Sequence, residues 1–144
     1  MYSPQVLDHF ERPRNMGVLP DANGLGVVGS PATGDVLKLQ LKIAPVDGVE
    51  TIVDVKAKVF GCGSAIASTS YLTELIKGRP LAEAAGIKNK IIAQALALPP
   101  VKIHCSVLAE EALKAALEDY RKRRAVAEAT QTQTHAAAPP PSSP

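Results

Sequence analysis

Between residues 36 and 43 apolar and polar side chains alternate without a slip: Leu37, Leu39, Leu41 and Ile43 against Lys38, Gln40 and Lys42. Residues 51–60 repeat the pattern, with Val53, Val55, Ala57 and Val59 against Asp54, Lys56 and Lys58. Period-two alternation predicts strands buried on one face and wet on the other. Pro45 and Asp47-Gly48 lie between them and predict a hairpin loop, hence an antiparallel sheet. From Ser64 the period becomes helical, and Ile66, Leu72, Leu75 and Ile76 share one broad face up to Gly78 and Pro80. Two short helices are predicted near 80–85 and 88–97, and Pro99-Pro100 breaks the chain after them. A last helix starts at about Val101 or Ile103 and runs to about Ala127. Ala109, Leu113, Ala116 and Tyr120 line its inner face, while Glu110 with Lys114 and Glu118 with Lys122 form i,i+4 pairs outside.

The first part of the chain is less regular. Ser3-Pro4 reads as a helix start, with Ser as N-cap and Pro at the first helical position. Val6, Leu7 and Phe10 give that helix a short apolar stripe, Pro13 stops it, and residues 13–23 read as loop. Gly24 to Gly29 fits the dinucleotide fingerprint G-x-G-x-x-G, but that motif must follow a strand and open a helix. Here Pro31, Gly34 and then a strand follow, so a short strand around Leu25–Gly29 is predicted instead. Arg121–Arg124 fall where cations complement a helix C-terminus. Beyond about Ala127 the composition turns to Thr, Gln, Ala, Pro and Ser. The expected organisation is a domain over 1–127 and a disordered tail over 128–144 that includes His135.

Hydrophobic residues make up 46% of the 144-residue chain, which excludes a wholly disordered protein and allows one domain with a real core. Aromatics are only 3% and Trp is absent, so the core must be built from Val, Ile, Leu and Ala. A net charge of +2 with so few aromatic stacking platforms argues against a nucleic-acid partner. No apolar run approaches the ~20 residues needed to span a bilayer, so no membrane role is expected. Two cysteines and no visible N-terminal signal point to a soluble protein of a reducing compartment, expected to be cytoplasmic.

The chemistry gathers in three loops: Pro31-Ala-Thr-Gly-Asp35, Gly61-Cys-Gly63 and His104-Cys105. Cys62 sits between two glycines where the strand pattern gives way to the helix pattern, with Ser64 placed to cap the helix. A helix N-terminus biases a thiol toward thiolate. A small buried Cys in a β-to-α turn fits the same residues equally well. In an antiparallel hairpin the start of one strand lies beside the end of its partner, so Asp35 and Cys62 share an edge of the sheet. Whether the last helix brings Cys105 there does not follow from local pattern. Taken singly, Asp35 reads as a turn residue, each Cys as core and His104 as a helix cap. Taken together, Asp35, Cys62, His104 and Cys105 form a mixed set of donors suited to zinc or to cluster iron, and a site is the favoured reading.

Longer stretches carry a resemblance. Asp8-His9-Phe10 through Pro13-Arg14-Asn15, Gly29 to Asp35, Phe60 to Ser68, Thr73-Glu74 through Lys77-Gly78, and Leu98 to Ser106 match in order and spacing. Over about residues 2–122 the chain resembles the iron–sulfur cluster assembly scaffolds, the IscU type and the N-terminal domain of NifU. The resemblance implies an α+β fold: a three-stranded antiparallel sheet with helices packed on one face and loops gathered at one end. It implies a [2Fe–2S] cluster built from sulfur delivered by a cysteine desulfurase and iron from a separate donor, then passed to apo-protein acceptors. It implies Cys62 and Cys105 as cluster ligands and possible persulfide acceptors, Asp35 as the residue that keeps the cluster labile, and His104 as a further ligand. It also implies that Leu98, Pro99, Pro100, Val101 and Lys102 form the segment gripped by an Hsp70-type chaperone working with its J-protein. A stiff, extended Pro-Pro segment suits such capture.

One position departs from the family pattern. Thr33 stands where the family has Cys, and a neutral hydroxyl is a hard, poor ligand for cluster iron. Three readings follow, in order: a scaffold lacking one thiolate; a zinc-binding or persulfide-relay protein that holds no stable cluster; and a cysteine-nucleophile enzyme with His104 as base. The enzyme ranks last because adjacent residues at a helix start are expected to point apart.

Overall fold

The computed structural model describes residues 3–30 and 33–137, with side chains to Ala127. Its elements are α1 (Pro4–Glu11), β1 (Gly24–Gly29), β2 (Val36–Val46), β3 (Val49–Phe60), α2 (Gly63–Ile76), α3 (Leu81–Ala84), α4 (Asn89–Leu96) and α5 (Ile103–Ala137). The sheet has order β1-β2-β3 and both pairings are antiparallel. Leu37, Leu39, Leu41, Ile43, Ile52, Val55 and Ala57 form its buried face, and the helices cover that face alone with Val6, Leu72, Ile76, Ile92, Leu96 and Leu113. The expected α+β architecture is what the structure shows.

The β2–β3 hairpin turns tighter than its composition suggests. Pro45 is paired with Glu50 inside the ladder, and the turn is Asp47-Gly48 alone, both at positive φ (52° and 78°). Two such residues make the turn whose twist matches an antiparallel pair. The register shifts between Lys42 and Ile43, which pair with Asp54 and Ile52. Val53 is the extra residue of that bulge. It is 38% exposed while Ile52 is fully buried, so the expected inward set of Val53, Val55, Ala57 and Val59 is corrected at its first member. Gln40 also departs from the outward set. The loop after α1 crosses the outer face, and the Gln40 side chain accepts from Leu19 N–H and donates to the Gly17 carbonyl, both at 2.9 Å.

α1 is capped as expected, Ser3 Oγ accepting from Val6 N–H at 3.1 Å, but it buries Val6 and His9 and leaves Leu7 and Phe10 43% exposed. His9 Nδ1 meets Ser70 Oγ at 2.8 Å and fixes α1 on α2. Small residues let α2 sink between its neighbours: Ala65, Ala67, Ser68, Thr69, Ser70 and Thr73 are buried along with Leu72 and Ile76.

α5 crosses β1 at very close range. A Cβ at Gly26 would overlap the Ala112 carbonyl oxygen and sit 2.7 Å from Ala116 N; at Gly24 it would lie 2.9 Å from Ala116 O. Gly24 and Gly26 of the fingerprint-like stretch are therefore there to admit a helix. Asp119 Oδ2 then accepts Leu25 N–H at 2.9 Å and closes the outer edge of β1. The inner face and both ion pairs expected of α5 are present, Glu110–Lys114 at 2.6 Å and Glu118–Lys122 at 3.2 Å. Its backbone stays helical to Ala137, past the Ala127 boundary that composition suggests, and residues 138–144 of the expected tail lie outside the described residues.

Two outcomes follow from this packing. Gly26→Ala should lower stability by about 1–3 kcal/mol in urea unfolding, because backbone atoms of α5 have to move. A chain ending at Ala127 should melt with the full chain, since residues 121–127 bury no side chain; a clearly lower Tm would show that the segment beyond them docks.

Candidate sulfur and metal site

The site forms where the β2–β3 ladder ends. Val36 and Phe60 are the last pair, so Asp35 and Gly61 leave the sheet side by side. Asp35 is buried, 4% exposed, and its Oδ1 accepts Cys62 N–H at 3.2 Å. Its Oδ2 accepts the Thr33 hydroxyl at 3.0 Å. Both carboxylate oxygens are thus engaged by the two loops that flank it. Gly61 has no room for a side chain, because a Cβ would overlap Asp35 Oδ1. Pro31 and Ala32 of the first loop lie outside the described residues.

Cys62 is itself the N-cap of α2, in an extended conformation, with no side-chain cap bond. Ser64, expected as the cap, is inside the helix and its buried hydroxyl has no hydrogen-bond partner. A residue in the extended conformation ends the loop, and Gly63 already begins the helix, so the cap falls two residues earlier than the usual Ser preference indicates.

The first turn of α5 closes the group. Cys105 Sγ lies 3.7 Å from Cys62 Sγ, and both thiols are free. One ligand atom each from Asp35, Cys62 and Cys105 falls within 4.8 Å of the others. His104 Nε2 is 3.6 Å from Asp35 Oδ2 and 3.5 Å from Cys105 Sγ. The expected divergence of these adjacent residues is therefore corrected: the imidazole folds back over the thiol at the helix start. Cys105 is 1% exposed. Burial, then the neighbouring Cys62 and Asp35, push its thiol up to about 12, with Lys102 opposing. Of the four residues singled out from sequence, Asp35, Cys62 and Cys105 converge on one another, His104 touches Asp35 and Cys105 from outside that group, and Thr33, singled out as a missing ligand, hydrogen-bonds to Asp35.

The Leu98–Lys102 segment runs directly into this helix. Leu98 is buried, Val101 is 77% exposed, and Pro99 is extended. Pro100–Lys102 form a single 3₁₀ turn, closed by Lys102 N–H to the Pro99 carbonyl at 2.8 Å, so the stiff extended segment expected there is shorter than its sequence suggests. Pro100 at the first position of that turn leaves no amide unsatisfied.

A small α+β domain with two thiols, an imidazole and a buried carboxylate at one sheet edge is a sulfur- or metal-handling domain. The chain belongs to the NifU-like N-terminal domain family, which it matches over residues 1–127. It is 55% identical over 133 residues to iron sulfur cluster assembly protein 1, mitochondrial, of Debaryomyces hansenii, covering 90% of this chain and 73% of that one. It is 56% identical over 126 residues to the iron-sulfur cluster assembly scaffold protein IscU of Haemophilus influenzae, covering 85% and 98%. Among solved structures, a candidate SUF-system scaffold from Fervidobacterium islandicum AW-1 superposes with a TM-score of 0.66 at 24% identity, covering 81% of this chain and 96% of that one, which shows the fold.

The cytoplasmic expectation is corrected by these relatives. The D. hansenii protein, like those of Saccharomyces cerevisiae and Schizosaccharomyces pombe, is named mitochondrial. Two cysteines that stay reduced describe a redox condition and not an address.

Gly61→Ala should displace the Asp35 carboxylate without altering a donor residue. Loss of its hydrogen bond, worth about 1.4 kcal/mol, should speed amide exchange at Cys62 roughly tenfold. Unchanged exchange would mean that the carboxylate does not hold the loop.

Proposed function

We propose that this chain is a scaffold on which an iron–sulfur cluster is assembled and from which it is passed on. The observation that carries this reading is the convergence of Asp35, Cys62 and Cys105 from three separate elements to within 4.8 Å. The donors fit the cargo. Two thiolates are soft ligands, His104 supplies an imidazole, and Asp35 supplies one harder oxygen. Four donors match the four terminal ligands of a [2Fe–2S] cluster, with carboxylate and imidazole weakening its hold. Iron binding to Cys105 has to displace the proton that burial keeps on its sulfur. The relatives' shared naming as cluster assembly proteins supports this reading over a zinc or persulfide-relay protein, and over an enzyme.

On this reading a cysteine desulfurase supplies sulfur, a separate donor supplies iron, and apo-proteins take the finished cluster. An Hsp70-type chaperone with its J-protein grips Leu98–Lys102, whose exposed Val101 leads straight into the turn that holds His104 and Cys105. A pull on that segment is transmitted to two of the four donors.

Anaerobic reconstitution with ferrous iron and sulfide should give charge-transfer absorption and about two irons per site. Zinc alone in metal analysis would overturn the cluster reading. Cys62→Ser and Cys105→Ser should each abolish retention, since no third thiol exists to replace either. Thr33→Cys should slow cluster loss to a chelator, because residue 33 already reaches Asp35. Equal loss rates would mean that residue 33 does not face the cargo.

A further inference from the structure

We propose that the cleft at the far end of the domain from the thiols binds the C-terminal carboxylate of an apolar peptide, with Arg121 as its anchor. The cleft lies between the β2–β3 turn, the start of α3 and α5, and has a volume of about 570 Å³. The thiols sit at the other end of the same hairpin, where Val36 pairs with Phe60, roughly 30 Å away at the rise of an extended strand. The inference is therefore independent of the scaffold reading.

The sequence places Arg121–Arg124 where a helix end is expected, but α5 continues to Ala137 and a helix dipole acts only on its last turn. Other partners account for three of the four cations. Lys122 meets Glu118 at 3.2 Å, Arg123 meets Asp119 at 2.8 Å, and Arg124 meets Glu50, which also accepts the Tyr120 hydroxyl. Arg121 has no ion pair or hydrogen bond among the described residues. The positions four before and four after it are Leu117 and Ala125, so its own helix offers no carboxylate there. Its side chain lines the cleft instead.

The charges that line the cleft select the ligand. Glu50 and Arg124 cancel, which leaves the single positive charge of Arg121. Asp47, in the same turn, is not part of the lining. One guanidinium with its donors unused matches one carboxylate, which it can grip through two parallel hydrogen bonds. A phosphate dianion would bring a second charge that has to face Glu50 and apolar walls. Gly48, Val49, Leu81 and Ala82 form those walls, and Val49 is 51% exposed, so an apolar body has surface to cover. The volume lies within the ~300–1,000 Å³ of small-ligand pockets. It exceeds what a short free acid fills, and its apolar residues come from both β3 and α3, so a chain end of a few residues covers it better.

The test titrates the full chain, labelled with ¹⁵N, and follows its amide resonances. The probe is N-acetyl-Ala-Leu-Val as the free acid, compared with the same peptide as its C-terminal amide, with hexanoate and with inorganic phosphate. The free acid should shift the amides of Gly48, Val49, Leu81 and Arg121. The amide-ended peptide should bind at least about tenfold more weakly, the loss expected for one charge-assisted pair. Arg121→Gln should lose affinity for the free acid by a similar factor with its Tm unchanged, because the side chain is exposed and makes no contact that the fold uses. Arg121→Lys should recover part of that affinity. An amide-ended peptide that binds as tightly as the acid, an Arg121→Gln variant with parental affinity, or shifts confined to the thiol end would each overturn the proposal. Hexanoate or phosphate binding there as tightly as the peptide would overturn the choice of a chain end.

Discussion

The antiparallel ladder between β2 and β3 ends on the Val36–Phe60 pair, and the site hangs from that end. Because the strands run in opposite directions, the residue before β2 and the residue after β3 must emerge together. That places the Asp35 carboxylate against the Cys62 amide. A slip of one residue would turn Leu37, Leu39 and Leu41 to water and separate the two loops at once. The bulge at Lys42/Ile43 adjusts the far half of the hairpin and leaves the last six pairs, from Leu41–Val55 to Val36–Phe60, in unbroken register. The core and the site thus depend on one register.

The other half of the site is set from a distance. His104 and Cys105 open α5, and α5 is located by its contact with β1, where Gly24 and Gly26 let the Ala112 and Ala116 backbone approach. Dispersion and burial across a contact that close hold the helix against sliding. At its start, the chain leaves α4 through Ala97 in a left-handed conformation and passes the Pro99-Pro100 pair. The position of two donors is therefore the outcome of packing made about two to three turns further along the same helix.

The donors themselves sit at a boundary between dry and wet. Asp35 and Cys105 are buried, while Cys62 and His104 reach solvent. Burying a thiol disfavours its ionised form, as the upward displacement of Cys105 shows. On the proposed reading, the combination of two thiols with weaker donors suits cargo that has to leave again.

Much of this was legible along the chain. Alternation from Leu37 to Ile43 defined β2, the Ser3-Pro4 pair defined the start of α1, and Gly-Cys-Gly at a change of period marked the loop that carries Cys62. Those features are local: a side chain's face follows from its place in a two- or 3.6-residue period. The antiparallel turn was enough to join Asp35 to Cys62. What local pattern did not contain was the outward turn of Val53, which needs a bulge; the burial of Gln40, which needs a loop crossing from elsewhere; and the purpose of Gly24 and Gly26, which appears only with α5 in place. The meeting of Cys105 with Cys62 belongs to the same group. The family resemblance implied it, but residue pattern alone could not, because it depends on how a helix packs over a strand more than half the chain away. Periodicity determines which face of an element is apolar; only the close packing of those faces decides which ends of the elements meet.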